Sequence, residues 1–288
     1  MNNPNSSSLF HFTRELNFLK DLISNGFRYS YSYEKYPQSI IRNNTSDIGN
    51  KSFYYSNPKQ ADAVAIPMIC FCDIRLSQTS NHCKNYGSYA IGINKEMART
   101  IYGNTINPIH YLSSSSVTIA LSDISVIKDQ NKSGCNNLKE SINTILALSK
   151  PYEGTVLDDG SRCFYDEKEW RIFLPDNKNE PYSWKWEIHF ATRDEFKKWR
   201  DPLNQTLIES GNGRLTFLKL KQLSDEDEKT LIDFFTHIIV GTDAEVPELV
   251  DYILNRKNPI FGYKQISAKS RRLLVSKISS MERIYKDF

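Results

Sequence analysis

A chain of 288 residues with a formal net charge of +3 and a pI near 8.4 carries no overall field for nucleic acid, so any such contact has to be local. With 25% charged and 39% hydrophobic residues, 16 Tyr and 15 Phe, it has the composition of a globular protein and not of a disordered one. Nowhere do 18 apolar residues run together, and residues 1–8 have neither the basic nor the apolar part of a secretory signal. The expectation is a cytoplasmic, non-membrane protein with a disordered N-terminus over residues 1–8.

Leu9 to Thr13 reads as a short strand with Leu9, His11 and Thr13 on one face. Thr13 is placed to cap a helix whose apolar residues Leu16, Leu19, Leu22, Ile23 and Phe27 fall at helical spacing, and Gly26 is placed to end it. From Tyr29 to Ala61 the chain is rich in Tyr, Ser and Asn and poor in aliphatics, and reads as a loop region over a cleft. Val64 to Cys72 is nearly continuous apolar sequence, expected as a buried central strand. Cys70, Cys72, His82 and Cys83 offer zinc-ligating atoms, but thiolate pairs normally come two to four residues apart, so buried thiols in a strand are the plainer reading.

A polar turn with His82, Tyr86 and Gly87 leads to a second apolar strand, Tyr89 to Ile93, and a helix capped by Asn94. Ile106 to Leu112 suggests another strand, and residues 117–127 and 138–148 suggest helices. Phe164 to Leu174 is the segment around which the site is read. Turn residues flank it on both sides, and alternation puts Glu167, Glu169, Arg171 and Phe173 on one strand face. Two carboxylates and a guanidinium so arranged suit acid–base or electrostatic chemistry, and suit equally a charged face in water.

Further strands are expected at Trp184 to Phe190, Leu215 to Leu220 and His237 to Gly241, with helices from Arg193 to about Arg200, after a Ser224–Asp227 capping box, and after Pro247. The final segment sets Lys264, Lys269, Arg271, Arg272, Lys277, Arg283 and Lys286 around Leu274, Ile278, Met281 and Tyr285, an amphipathic helical pattern with a solvated basic face. Phosphate-binding loops, dinucleotide fingerprints, nucleophile elbows and zinc-protease motifs are absent from the sequence.

Three blocks in order, Leu9 to Thr13 with its helix to Phe27, Pro67 to Ile74 with Tyr86 to Gly92, and Tyr165 to Arg171, resemble the AbiGi abortive-infection family of phage-resistance proteins. By the same order of motifs that family resembles, more distantly, the DarT-like ADP-ribosyltransferases. The resemblance implies an α+β fold with an ADP-ribosyltransferase-like split sheet, as a single domain. Its core would span residues 9–192, and residues 193–288 would form a C-terminal extension packed on it. It also implies NAD as substrate, with His11 and Thr13 on the adenosine ribose, Tyr86 or Tyr89 against nicotinamide, and Arg171 on a carboxylate or the pyrophosphate. Glu169 would be the catalytic glutamate, stabilising an oxocarbenium-like state, and Glu167 would orient or deprotonate the acceptor.

Arg75 stands where the family commonly has proline, and the arginine that DarT-like enzymes place after their first helix has no counterpart. The expected function is anti-phage defence by ADP-ribosyl transfer to a nucleic-acid or protein target. The alternatives are NAD hydrolysis and a non-catalytic antitoxin role beside a nucleotidyltransferase-like toxin.

Overall fold

A computed structural model describes residues 6–35, 63–112, 145, 147–156, 160–173, 189–209, 213–215, 224–263 and 265–287. In chain order these form β1 (Ser8–Thr13), α1 (Leu16–Asn25), β2 (Phe27–Arg28), β3 (Ser30–Lys35), β4 (Ala63–Cys72), α2 (Ser80–Tyr86), β5 (Tyr89–Asn94), α3 (Lys95–Tyr102), β6 (Ile106–Pro108) and β7 (His110–Leu112). There follow β8 (Ser149–Pro151), β9 (Glu153–Val156), β10 (Gly160–Cys163), β11 (Glu169–Phe173), β12 (His189–Ala191), α4 (Arg193–Glu209) and β13 (Arg214–Leu215). Last come α5 (Asp225–Phe234), β14 (Phe235–Val240), α6 (Val246–Leu254), α7 (Ala268–Val275), β15 (Ile278–Ser280) and α8 (Met281–Asp287). The architecture is mixed α+β, in two compact units that both draw on separated stretches of chain.

The first unit comprises Met1–Arg28, Cys70–Ile106 and Arg214–Phe288. At its centre β1 and β5 pair antiparallel along their full length, from Ser8↔Asn94 to Thr13↔Tyr89. β5 pairs antiparallel with β14, and β14 runs parallel to β15. The C-terminal end of β4 adds to β1 at Phe10↔Cys72. Strand alternation divides the apolar residues: Phe10, Cys72 and Ala90 pack with Cys83 of α2 and Met281 and Ile284 of α8, and Phe12 lies against the same cluster. α1 buries Leu19, Leu22 and Ile23, and Gly26 ends it at φ +82, a conformation glycine takes without a Cβ clash.

The second unit comprises Tyr29–Ile69 and Asn107–Gly213. Here the N-terminal part of β4, buried from Ala63 to Ile69, pairs antiparallel with β3 and with β12. α4 sets Phe196 and Trp199 against the rings of Tyr33 and Tyr31, while Asn204 Oδ1 accepts the Tyr31 N–H at 2.9 Å. β7 and β8 pair parallel, and β9 and β10 form an antiparallel pair.

Several local expectations are corrected. The Tyr29 to Ala61 segment begins as strand β3 and not as loop, because its Tyr/Ser alternation has the strand period; residues 36–62 lie outside the described residues. The N-cap of α1 is Glu15 and not Thr13, which β1 retains as a ladder residue. The helix starting at Arg193 continues past Arg200 to Glu209 through Pro202. The basic C-terminal pattern is two helices with β15 between them, since Ile278 joins the sheet beside Ile238. Two of its cations are internal clamps. Arg271 donates to the carbonyl of Ile253 in the last turn of α6 and to those of Asn255 and Asn258 beyond its end, and Lys277 donates to those of Ile232 and Phe235. The expected helices over 117–127 and 138–148 and most of the strands at 184–190 and 215–220 fall largely outside the described residues.

Candidate functional site

The segment from Phe164 is not one strand. Phe164–Glu167 forms a turn of 3-10 helix, Lys168 takes the left-handed conformation at φ +43, and only Glu169–Phe173 is extended. Glu167 therefore does not lie on the strand face of Glu169 and Arg171, because the tight turn and the left-handed residue interrupt the alternation. Lys150 of β8 gathers the carboxylates instead: its Nζ lies 2.9 Å from Glu167 Oε2 and 3.0 Å from Glu169 Oε2, and 4.7 Å from the centre of the Phe164 ring.

Arg171 completes the network from the strand. Its Nε donates to Glu169 Oε1 at 2.7 Å, and Nη2 to Glu34 Oε1 at 2.8 Å and Glu169 Oε2 at 3.3 Å. Nη1 donates to the carbonyls of Ala147 at 2.9 Å and Ser149 at 3.3 Å. All three guanidinium nitrogens are thus engaged, and the side chain is fully buried. Glu34, Lys150, Glu167 and Glu169 are each buried.

Among the described residues, three carboxylates face two cations in this network. Burial pushes the Glu34 carboxyl above its ordinary value; Arg171 and Lys150 oppose that shift, and the other two glutamates add to it. Tyr111 ties the network to β7 by accepting the Glu169 N–H at 2.8 Å, and burial raises its own hydroxyl well above the usual phenol value.

The other expected site residues belong to the first unit. His11 Nδ1 lies 2.7 Å from the Cys70 carbonyl, which can only accept, so Nδ1 carries the proton. Burial lowers the imidazole's pKa, partly offset by that hydrogen bond, and the ring packs edge-on to Phe27 at 5.3 Å. Thr13 lies directly opposite Tyr89, so the two share the His11 face of β1 and β5. Tyr89 is held there by a 2.6 Å hydrogen bond to Glu245, and burial together with that carboxylate pushes its hydroxyl up to about 12.

Tyr86 does not join that face. Its ring lies 4.5 Å from His82, which packs at 4.8 Å on Phe12, a residue pointing to the opposite side of β1 from His11. His11, Thr13 and Tyr89 are therefore brought to one sheet face, and Tyr86 to the other. Among the described residues no group of three or more His, Cys, Asp or Glu is arranged to hold a metal ion.

Residues 38–207, more than half of the chain, match the family model described as "Putative abortive phage resistance protein AbiGi, antitoxin". The chain belongs to the AbiGi family. An abortive phage resistance protein AbiGi from Lactococcus lactis subsp. cremoris is 27% identical over 248 residues, covering 77% of this chain and 89% of that protein. No solved structure matches. Among the described residues no helix is long and apolar enough to cross a membrane.

The AbiGi match takes in Lys150, Glu167, Glu169 and Arg171, while Glu34 lies just before it. Sequence reading missed Lys150, Glu34 and Tyr111 as members of the network. Glu34 had a signal, since Tyr29 to Tyr33 alternates with strand period. Lys150, in Ser149-Lys150-Pro151, had none.

Proposed function

We propose that this AbiGi chain acts by binding, as the restraining antitoxin half of an abortive-infection pair whose other half is a nucleotidyltransferase-like toxin. The observation that carries this reading is the state of Glu169. A carboxylate that stabilises an oxocarbenium ion has to present its charge to the substrate; here both oxygens of the buried Glu169 are engaged by Arg171 and Lys150. Such an arrangement braces β3, β8 and β11 against one another. The family's description as an antitoxin supports the same reading.

The test is expression of this chain alone, and together with the product of a neighbouring toxin-like reading frame. Alone, it should leave growth and cellular NAD unchanged; together, it should restore growth that the neighbour's product arrests. If the chain alone slows growth and converts NAD to nicotinamide, it is an NAD-consuming enzyme. A modified nucleic acid or protein in those cells would then identify a transferase, and free ADP-ribose a hydrolase.

A further inference from the structure

One surface of the second unit presents a pair of stacked, exposed aromatic rings. The rings of Tyr152 and Tyr165 stack at 5.5 Å and 24°, and Tyr111 meets Tyr165 edge-on at 5.4 Å. Tyr152 is 43% exposed and Tyr165 50%, high for residues so firmly held. The Tyr152 carbonyl accepts the N–H groups of Phe164 at 2.9 Å and Tyr165 at 3.4 Å. Phe164 fits over Gly154, where a Cβ would come within 2.9 Å of its ring, and its face meets Lys150 of the buried network. Tyr111 is fixed by the Glu169 N–H. Two solvent-facing aromatic rings are thus locked by the ion-pair network behind them, and a rigid aromatic pair loses little entropy when it is covered.

The charge around this ledge selects the partner. Among the described residues, Asp166 and Glu153 are exposed next in sequence to Tyr165 and Tyr152, and the exposed cation there is Lys168. A hydrogen bond to Cys163 raises the Tyr152 hydroxyl, and the negative field of Asp166 raises it further, which places that carboxylate near the ring. Stacked phenols bordered by carboxylates favour a guanidinium, by cation–π contact and ion pairing, and disfavour a phosphate backbone. We infer that the Tyr152–Tyr165 ledge, with Asp166, is where this chain docks an arginine-bearing segment of the toxin it restrains. This rests on the antitoxin reading.

The measurement is the affinity of the full chain for the neighbouring reading frame's product, with a hexa-arginine peptide and a thymidine oligonucleotide as further probes followed by the NMR shifts of the tyrosine rings. Tyr152→Ala with Tyr165→Ala should unfold at about the wild-type temperature yet weaken the protein complex at least tenfold. Asp166→Asn should weaken it less and flatten its salt dependence. The peptide, and not the oligonucleotide, should shift the Tyr152 and Tyr165 resonances. If the folded double variant and Asp166→Asn both hold the partner with wild-type affinity, the ledge is overturned while the antitoxin reading stands. If the wild type neither binds nor restrains that product, the antitoxin reading fails first. The ledge is then judged by the peptide, and unmoved rings, or stronger binding of the oligonucleotide, overturn it.

Discussion

Removing one charge from the buried network should have consequences that depend on its sign. Arg171→Met leaves Glu34 and Glu169 buried without the guanidinium that pairs with both; the expected loss is about 3–5 kcal/mol of unfolding free energy in urea. Glu169→Gln instead leaves two carboxylates against two cations among the described residues of the network, and takes from Lys150 and Arg171 Nη2 the acceptor they share at Oε2, a cost of about 1–3 kcal/mol. Glu34 adds a pH signature. Its folded pKa is raised above the ordinary 4.5, so the folded chain keeps a proton that the unfolded chain has released. Stability from that proton is full below the ordinary value and is lost as pH rises through the folded value. Glu34→Gln should therefore flatten the fall in melting temperature on the alkaline side of pH 4.5, and an unchanged slope would place the surplus proton elsewhere.

Which groups would be singled out was partly legible at this scale: Glu167, Glu169 and Arg171 stand close in sequence, and the structure does bring them together. What the sequence hid was their confinement, because Lys150 and Glu34 arrive from other strands, 19 residues from Glu169 and 137 residues from Arg171. A row of charges spaced two apart looks the same whether its face meets water or buried partners such as Lys150 and Glu34.

Among the elements, the strands were most readable where apolar residues ran on or alternated, as in β1, β4, β5 and β14, since period and composition agreed there. Boundaries failed where a backbone turn overrode side-chain pattern: Lys168 at φ +43 cuts the Phe164 to Leu174 segment, and Ile278 leaves its helical pattern to pair in the sheet. The Ser224–Asp227 capping box was read correctly, because its chemistry is local. The Ser224 hydroxyl accepts the Asp227 N–H, and Asp227 accepts the Ser224 N–H. Ser224→Ala should cost about 1 kcal/mol in urea unfolding. Gly87 is a harder constraint: it sits at φ +102, and a Cβ there would lie 2.2 Å from the Thr13 carbonyl oxygen and 2.5 Å from Arg14 Cα. Gly87→Ala should lower the melting temperature of the first unit with a loss of at least about 2 kcal/mol, combining strain and overpacking. A variant as stable as wild type would mean that α2 and the end of β1 separate easily.

For the whole molecule, the sequence offered no linker, and the reason lies in the path of the chain. It passes between the two units after Arg28, Ile69, Ile106 and Gly213, and the second of these passages falls inside β4, a strand with no break in its apolar run. Composition cannot mark such a boundary. Function was legible at the level of family: the blocks Pro67 to Ile74 with Tyr86 to Gly92, and Tyr165 to Arg171, fall within the family match, while Leu9 to Phe27 lies before it. The chemistry was not legible, because a catalytic carboxylate and a structural one are the same letter. The measurement that decides between them is nicotinamide release from NAD by the purified chain, wild type and Glu169→Gln side by side, with folding checked by urea unfolding. A binding protein braced by its charges predicts no release above the uncatalysed rate from either, and a Glu169→Gln protein that still restrains its partner. Release by the wild type that falls at least about a hundredfold in a folded Glu169→Gln protein would contradict the account.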